Sequence, residues 1–286
     1  MDRRIAVLPL LLLATLGLTA CIGGTANVRV VHAQNPVRAP ESVDHSAFDR
    51  VLKRHVDAQG EVDYAALSQD ADSVLTPYLQ MLAATDPSNL DREERLAFWI
   101  NAYNAYTLKL VADHYPVESI RDIKPGAGPS IPKVNSPFQL EVGAVADTVR
   151  SLDDIEHGII RERFDEPRIH FVLVCAAVSC PRLRQEAYTG AALERQLEDQ
   201  TMTFLRTDGK NDIPAGAGEI GLSRIFKWYG EDFGDSTDDL QRYLASYFDG
   251  RVHEKLANAA YDVEYLDYDW SLNDQRTDAA APAAGE

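Results

Sequence analysis

The chain has 286 residues and a formal net charge of -17 at pH 7, from 45 acidic and 28 basic side chains. This acidic balance argues against binding to nucleic acid and against contact between a polybasic surface and anionic lipid. Three cysteines are too few for a disulfide-dense scaffold, so the core must come from ordinary apolar burial.

The N-terminus has the parts of a secretory signal. Arg3 and Arg4 form a positive head, residues 5–18 are mostly apolar, and small residues precede Cys21. The apolar stretch is short for a membrane span, which needs about 20 residues. A cysteine at this place resembles a bacterial lipobox, in which cleavage occurs before the cysteine and its thiol carries diacylglycerol. The alternative is an ordinary signal peptide with an incidental cysteine.

Lipidation of Cys21 implies a protein of the cell envelope that faces the periplasm. Stable anchoring takes more than one acyl chain, which a triacylated N-terminus provides. Ile22, rather than Asp, follows the cysteine, and by the same resemblance this indicates the outer membrane. The expected partners are therefore the membrane, through the lipid, and an envelope protein or peptide.

We expect four segments along the chain. Residues 1–20 are the signal peptide, and residues 21–43, which lack helical periodicity, form a flexible tether. Residues 44–273 form the folded domain. Residues 274–286 form an acidic, Ala/Pro-rich tail that we expect to be disordered.

Apolar periodicity predicts several helices in the first half of the domain. They cover residues 45–59, 63–67, 74–82 and Arg92–His114. The last of these is the longest. It contains no Gly or Pro that would interrupt a helix, and Pro116 follows its end.

The second half of the domain mixes helices and strands. An irregular loop is expected over residues 124–137, which hold four prolines. Ser151 and Asp154 have the spacing of a capping box and predict the start of a helix. Further helices are predicted over residues 191–205 and 237–248, and strands over residues 169–175 and 263–268. The expected fold class is α+β, mainly helical, with a small β-sheet.

Short motifs spread over roughly residues 90–273 carry a family resemblance. They are FWINAYNA (98–105), LDDIEH (152–157), IHF (169–171), SCP (179–181), FKWY (226–229), DF (232–233) and YLDYDWSLN (265–273). In this order they resemble the domain of unknown function 547 (DUF 547). The family is named for its lack of a known function, so the resemblance implies little about activity. Its fold is similar to papain-like or transglutaminase-like domains, but a fold does not define a function.

The residues with catalytic potential concentrate in one part of the sequence. The candidate catalytic residues are Cys180, His170, Cys175, His157 and Glu156. A thiol nucleophile needs a lowered pKa, and a helix that begins at Pro181 would place Cys180 at its positive end. His157 or His170 would act as the base and Glu156 or an Asn as its orienting group. Glu156 and His157 are neighbours on a helix and do not share a face, so we do not expect both at one centre.

Each of these residues also has a structural interpretation. Cys175 would end a buried strand as a core residue, or would form a disulfide with Cys180. His157 would pair with a buried carboxylate. A zinc site from His157, His170 and the two cysteines has suitable ligand atoms but no common spacing, and we expect neither a metal nor a cofactor.

Four further residues are candidates for substrate binding. Asn101 and Asn104 lie three residues apart on an apolar helix, where a buried amide needs partners. Alternatively, these amides hold neighbouring loop backbone in place. Arg224 and Trp228, with Asp232, have a spacing close to helical and could form a polar–aromatic patch at a cleft; the alternative is packing and a surface ion pair.

Three functions therefore remain open. The first choice is a non-catalytic envelope module whose cleft binds a peptide or protein. The second is a cysteine-dependent hydrolase or acyltransferase for an envelope peptide, protein or acyl substrate, with Cys180 as nucleophile and His170 as base. The third is a thiol redox protein that uses Cys175 and Cys180, although their spacing differs from the tight redox motif.

Overall fold

The computed structural model of this chain describes residues 42–124 and 136–276. The predicted signal peptide, Cys21 and the tether up to residue 41 lie outside the described residues. Most of the loop predicted over residues 124–137 and the tail from residue 277 onwards lie outside them as well.

The described part of the chain is mainly helical. Its α-helices are α1 (Ser46–His55), α2 (Tyr64–Val74), α3 (Thr76–Ala83), α4 (Arg92–His114), α5 (Leu152–Ile155), α6 (Leu193–Arg206), α7 (Ile225–Trp228), α8 (Thr237–Ala245) and α9 (Gly250–Ala257). Together with the strands described below, they confirm the predicted α+β class with mainly helical content.

Helix α4 is the centre of the larger apolar core. The Asp91 side chain caps it by accepting a hydrogen bond from the backbone N–H of Glu94. Every residue from Leu96 to Ala112 is buried, so the helix is enclosed on all sides, as expected for a helix with apolar residues all round. Its predicted bounds are confirmed.

The strands form two small sheets. β1 (Glu141–Val145) and β2 (Thr148–Ser151) pair antiparallel, whereas β3 (Glu219–Leu222) and β4 (Asp262–Tyr265) pair parallel. The sequence motifs did not predict the first pair, because its two-residue turn consists of Ala146 and Asp147 at positive φ. Such turns usually carry Asn-Gly or a similar pair.

The strand predicted over residues 169–175 is wrong. A 3-10 helix (Pro167–Phe171) and an irregular segment replace it. The side-chain amide of Asn104 provides hydrogen-bond partners for the backbone of this segment. It donates to the carbonyl of Val172 and accepts from the N–H of Val174, both at 2.9 Å. A short apolar run is compatible with a strand or with other buried structure, and here a distant side chain takes the place of a neighbouring strand.

A smaller core joins the end of α6 to the C-terminal helices and strands. Phe171, Phe204, Phe226 and Phe233 pack together in it, with centroid distances between 5.0 and 6.3 Å. Such aromatic pairs add stability beyond their buried area. Phe171 belongs to the segment next to the candidate cysteines, so this core supports one side of the site described below.

The C-terminal end of the described chain returns to the first two helices. The N–H of Val62 donates to the carbonyl of Asn273 at 2.9 Å, and the Tyr64 hydroxyl donates to its side chain at 3.1 Å. Asp274 is buried and accepts from the Tyr115 hydroxyl at 2.7 Å. Order therefore extends past residue 273, where we expected the tail to begin. Among the described residues, no helix has the length and apolar content to cross a membrane.

Candidate functional site

A cavity of about 230 Å³ lies between α4, the turn after α5 and the C-terminal segment. All five candidate catalytic residues line it, namely Cys180, His170, Cys175, His157 and Glu156. The described lining also includes six aromatic side chains, namely Tyr103, Phe138, Trp228, Tyr229, Tyr268 and Trp270. The fold therefore brings together residues that are up to 24 positions apart in sequence, which supports treating them as one site.

A disulfide between Cys175 and Cys180 forms part of the cavity wall. The chain turns directly after Cys175, where Ala176 has a φ of 58°. No helix begins at Pro181, so the prediction that Cys180 lies at a helix N-terminus is wrong. Its sulfur instead accepts a hydrogen bond from the backbone N–H of Cys175 at 3.0 Å.

The Tyr268 hydroxyl lies beside both sulfurs. It is 3.2 Å from the Sγ of Cys175 and 3.2 Å from the Sγ of Cys180, to which it donates. Burial raises the pKa of Tyr268, so its hydroxyl keeps its proton at neutral pH. Cys180 is 1% exposed, whereas Cys175 is partly exposed.

His170 is held in one orientation by two residues of a single short segment. Its Nε2 is 2.6 Å from a carboxylate oxygen of Asp232, and its ring stacks on Tyr229 with 3.9 Å between centroids. The imidazole is 1% exposed. The orienting carboxylate is thus Asp232, rather than Glu156 or an asparagine as the sequence suggested. With Nε2 bound to a carboxylate, the imidazole has the arrangement of an oriented general base.

Arg161 holds the other side of the Asp232 carboxylate. Its guanidinium makes two hydrogen bonds to Asp232, both at 2.7 Å, and one to Glu231 at 2.8 Å. Burial would raise the pKa of Asp232, but the hydrogen bonds from His170 and Arg161 outweigh it and hold that pKa well below the ordinary range. Asp232 is therefore ionised throughout the physiological pH range.

Glu156 and His157 both reach the cavity, contrary to the expectation from helical geometry. They begin a π-helical turn (Glu156–Arg161) that follows the capping box of Ser151 and Asp154. Glu156 is buried, whereas His157 is exposed at the rim. π-helical turns are frequent at functional sites because they redirect side chains.

Two tyrosines donate their hydroxyl groups to the Glu156 carboxylate. They are Tyr103 of α4 and Tyr229 of the segment after α7. Burial, together with the charge of Glu156, raises the pKa of both phenols. A buried carboxylate with two neutral donors has its hydrogen-bonding capacity satisfied. Glu156 therefore places a carboxylate of fixed orientation in the cavity wall.

Three aromatic rings line the open side of the cavity. The rings of Trp228, Tyr268 and Trp270 lie with centroids 4.7 to 5.8 Å apart. Trp228 is 44% exposed. Of the other substrate-binding candidates, Arg224 turns away from the cavity and donates to the Leu266 carbonyl and to Asp267.

The two asparagines of α4 fasten loops and do not line the cavity. Asn101 donates to the carbonyl of Tyr188 at 2.7 Å and accepts from its N–H at 2.9 Å. Asn104 binds Val172 and Val174 in the same manner. Their side chains thereby set the backbone path on either side of the disulfide.

The sequence analysis missed several residues that line the cavity. Asp153, Tyr103, Tyr229, Tyr268 and Trp270 line the cavity but were not among the candidates. Their positions fall within motifs of the family resemblance, and that signal could have identified them. Among the described residues, no group of three or more His, Cys, Asp or Glu could hold a metal ion.

A family model matches part of the chain. The model of a family described as "Protein of unknown function, DUF547" matches residues 87–205. This segment includes both cysteines, His170 and Glu156, whereas Trp228 and Tyr268 lie beyond it. The chain matches no curated protein and no solved structure. Residues 87–205 are therefore similar to the DUF547 family.

Proposed function

We propose that this protein is a lipid-anchored module of the cell envelope that binds a small organic ligand, or one group of an envelope peptide, in the cavity beside the disulfide. The observation that carries this proposal is the composition of the wall. It combines six aromatic rings with the carboxylates of Asp153 and Glu156, and both sulfurs are bonded to each other. Such a surface suits binding, because ligand sites combine apolar walls with a few placed polar groups.

The charge of the wall favours a ligand with a positive group. None of the described residues that line the cavity is Lys or Arg, and the protein as a whole carries a charge of -17. Aromatic faces attract ammonium groups, and a nearby carboxylate adds to this attraction. We therefore assign the cavity to an organic cation, such as the ammonium group of a peptide.

Calorimetric titration with choline and its neutral isostere 3,3-dimethyl-1-butanol tests this assignment. We expect choline to bind about 5- to 30-fold more tightly, as about 1–2 kcal/mol of cation–π attraction provides. Glu156→Gln should abolish most of the preference, whereas Glu162→Gln, at an exposed position on the same segment, should leave it unchanged. Equal binding of both probes would refute the charge preference, and no saturable binding of either would refute the binding function.

The lipid anchor is a separate part of the proposal. It is supported by the charged head, the apolar stretch and Cys21. Expression in a bacterium fed an alkyne-labelled fatty acid should label the full-length protein. Cys21→Ala should remove the label, and Cys175→Ala should keep it. Labelling of the Cys21 variant would contradict the anchor.

A second candidate function is cysteine-dependent acyl transfer or hydrolysis by the reduced protein. It is favoured by the contact between His170 and Asp232, which lies in the same cavity as Cys180. In this candidate, the thiol of Cys180 attacks an acyl group and His170 transfers the proton to the leaving group. A thiol-directed activity probe, applied with and without prior reduction, should label the reduced wild type and Cys175→Ala but not Cys180→Ala. Equal labelling of all forms would refute it.

A further inference from the structure

The two sulfurs of the Cys175–Cys180 disulfide differ in their exposure. Cys180 is almost fully buried at 1%, whereas Cys175 is partly exposed, and both line the cavity. Disulfides exchange by attack of a thiolate on one sulfur, so access decides which sulfur is attacked. An incoming thiolate therefore reaches Cys175.

The two sulfurs also differ in their hydrogen bonds. The backbone N–H of Cys175 donates to the Sγ of Cys180 alone, at 3.0 Å. The Tyr268 hydroxyl donates to the Sγ of Cys180 at 3.2 Å and lies at the same distance from the Sγ of Cys175. Hydrogen bonds to an ionised acceptor are stronger than those to a neutral one. The two donors consequently stabilise negative charge on Cys180, and a stabilised thiolate is the better leaving group.

A partly buried cation lies close to the backbone of the same cysteine. The ammonium group of Lys210 donates a hydrogen bond to the carbonyl of Cys180. Its positive charge acts in the same direction as the two hydrogen bonds, because an opposite charge favours the ionised form of a nearby group.

From these three observations, we propose that the Cys175–Cys180 disulfide is a redox-exchange site, in which a thiolate of a dithiol reductant attacks Cys175 and Cys180 leaves as a thiolate. This role is independent of the ligand that the cavity binds. Cys175 is then the sulfur that is attacked and Cys180 the leaving group, although the spacing of the two cysteines differs from that of the common redox motif.

The exchange balances in two steps. First, the bond between the sulfurs of Cys175 and Cys180 breaks, a bond forms between Cys175 and the reductant, and the electron pair stays on Cys180. Second, the other thiolate of the reductant attacks the mixed disulfide and releases Cys175. The dithiol is oxidised to a disulfide, and its two electrons reduce the cysteine pair. The two protons of the dithiol pass through water to the thiolates of Cys175 and Cys180. The reverse reaction oxidises a partner dithiol.

The site of attack can be tested with glutathione. Full-length oxidised protein in detergent micelles is mixed with reduced glutathione, quenched with acid and mapped by mass spectrometry. We expect glutathione on Cys175 at least about ten-fold more often than on Cys180. Equal or reversed labelling would overturn the proposal. Single-cysteine variants give a second readout, since Cys180→Ser should react with glutathione disulfide about ten-fold faster than Cys175→Ser.

The stabilisation of the leaving group can be tested at Tyr268. Tyr268→Phe keeps the ring and removes one donor to Cys180, so dithiothreitol should reduce its disulfide about three- to ten-fold more slowly than that of the wild type. Tyr265→Phe is the matched control, because Tyr265 lies three residues away and its ring contacts Lys227 instead. Reduction of Tyr268→Phe at the wild-type rate would contradict the assigned role of the hydroxyl.

Discussion

Tyr229 joins the two polar centres of the cavity, because its ring stacks on His170 at 3.9 Å and its hydroxyl donates to Glu156. The guanidinium of Arg161 lies 5.3 Å from the centroid of the same ring. The side chain of Tyr229 thus orients two groups. The face of its ring holds the imidazole of His170, and its hydroxyl holds the carboxylate of Glu156. The residues that a ligand would meet are consequently held in place before the ligand arrives, which lowers the cost of ordering them on binding.

Asp232→Asn should lower stability at neutral pH. The pKa of Asp232 is depressed in the folded protein, so its contribution is complete above the ordinary carboxyl pKa of 3.8 and is lost as the pH falls further. We expect a lower urea midpoint than wild type at pH 7 and a smaller difference at pH 3. Glu231→Gln is the control, since Glu231 binds the same arginine but is 79% exposed and should change little. A deficit that stays the same at both pH values would contradict the assigned ion pair.

His45 should make the protein less stable in mild acid. Burial lowers its pKa to about 4, from 6.5 for the free side chain, so the unfolded chain binds the proton first as the pH falls. Stability should drop by about 3 kcal/mol between pH 6.5 and pH 4 through this group. His45→Asn should show a correspondingly shallower loss in urea titrations across this range. His253→Asn, at an exposed site, should follow the wild-type profile; identical profiles for all three proteins would refute the prediction.

Asn104→Ala should destabilise the loop that leads to the disulfide. It leaves the carbonyl of Val172 and the N–H of Val174 buried without their partner. Each such group costs about 1–3 kcal/mol, so we expect the two together to lower the free energy of unfolding by about 2–6 kcal/mol. Asn258→Ala, on the surface, should stay within about 0.5 kcal/mol. A fully stable Asn104→Ala variant would contradict the structural role assigned to this amide.

Two glycines should respond in opposite directions to substitution by alanine. A Cβ at Gly143 would lie 2.5 Å from the ring and hydroxyl of the buried Tyr106, whereas a Cβ at Gly158 meets nothing within 4 Å. Gly143→Ala should cost about 1–3 kcal/mol through overpacking. Gly158→Ala should gain up to about 1 kcal/mol, because alanine favours the helical backbone. Thermal denaturation of both variants checks the pair, and a stable Gly143→Ala would show that Tyr106 can move.

The sequence predicted helix ends correctly where residues close to the end determine it. The end of α4 follows from Pro116, which lies two residues beyond His114. The start of α5 follows from the capping box of Ser151 and Asp154, in which both hydrogen bonds form. These signals act within four residues, so one sequence is enough to read them.

Contacts between distant residues could not be predicted in the same way. The segment around Val172 avoids a strand because Asn104, 68 residues earlier, binds its backbone. His170 finds its orienting carboxylate in Asp232, 62 residues later. The motifs indicated the right group of candidates, but the pairing depends on the packing of two cores, which periodicity does not describe.

The return of the C-terminal segment to the first helices constrains when the domain can become complete. A chain that emerges N-terminus first contains Val62 and Tyr64 long before Asn273, to which both of them bind. Until the last residues of the domain follow, the backbone of Val62 and the hydroxyl of Tyr64 lack these partners. These two hydrogen bonds can form only after residue 273 has been synthesised, and a truncation before that residue would leave both groups without these partners.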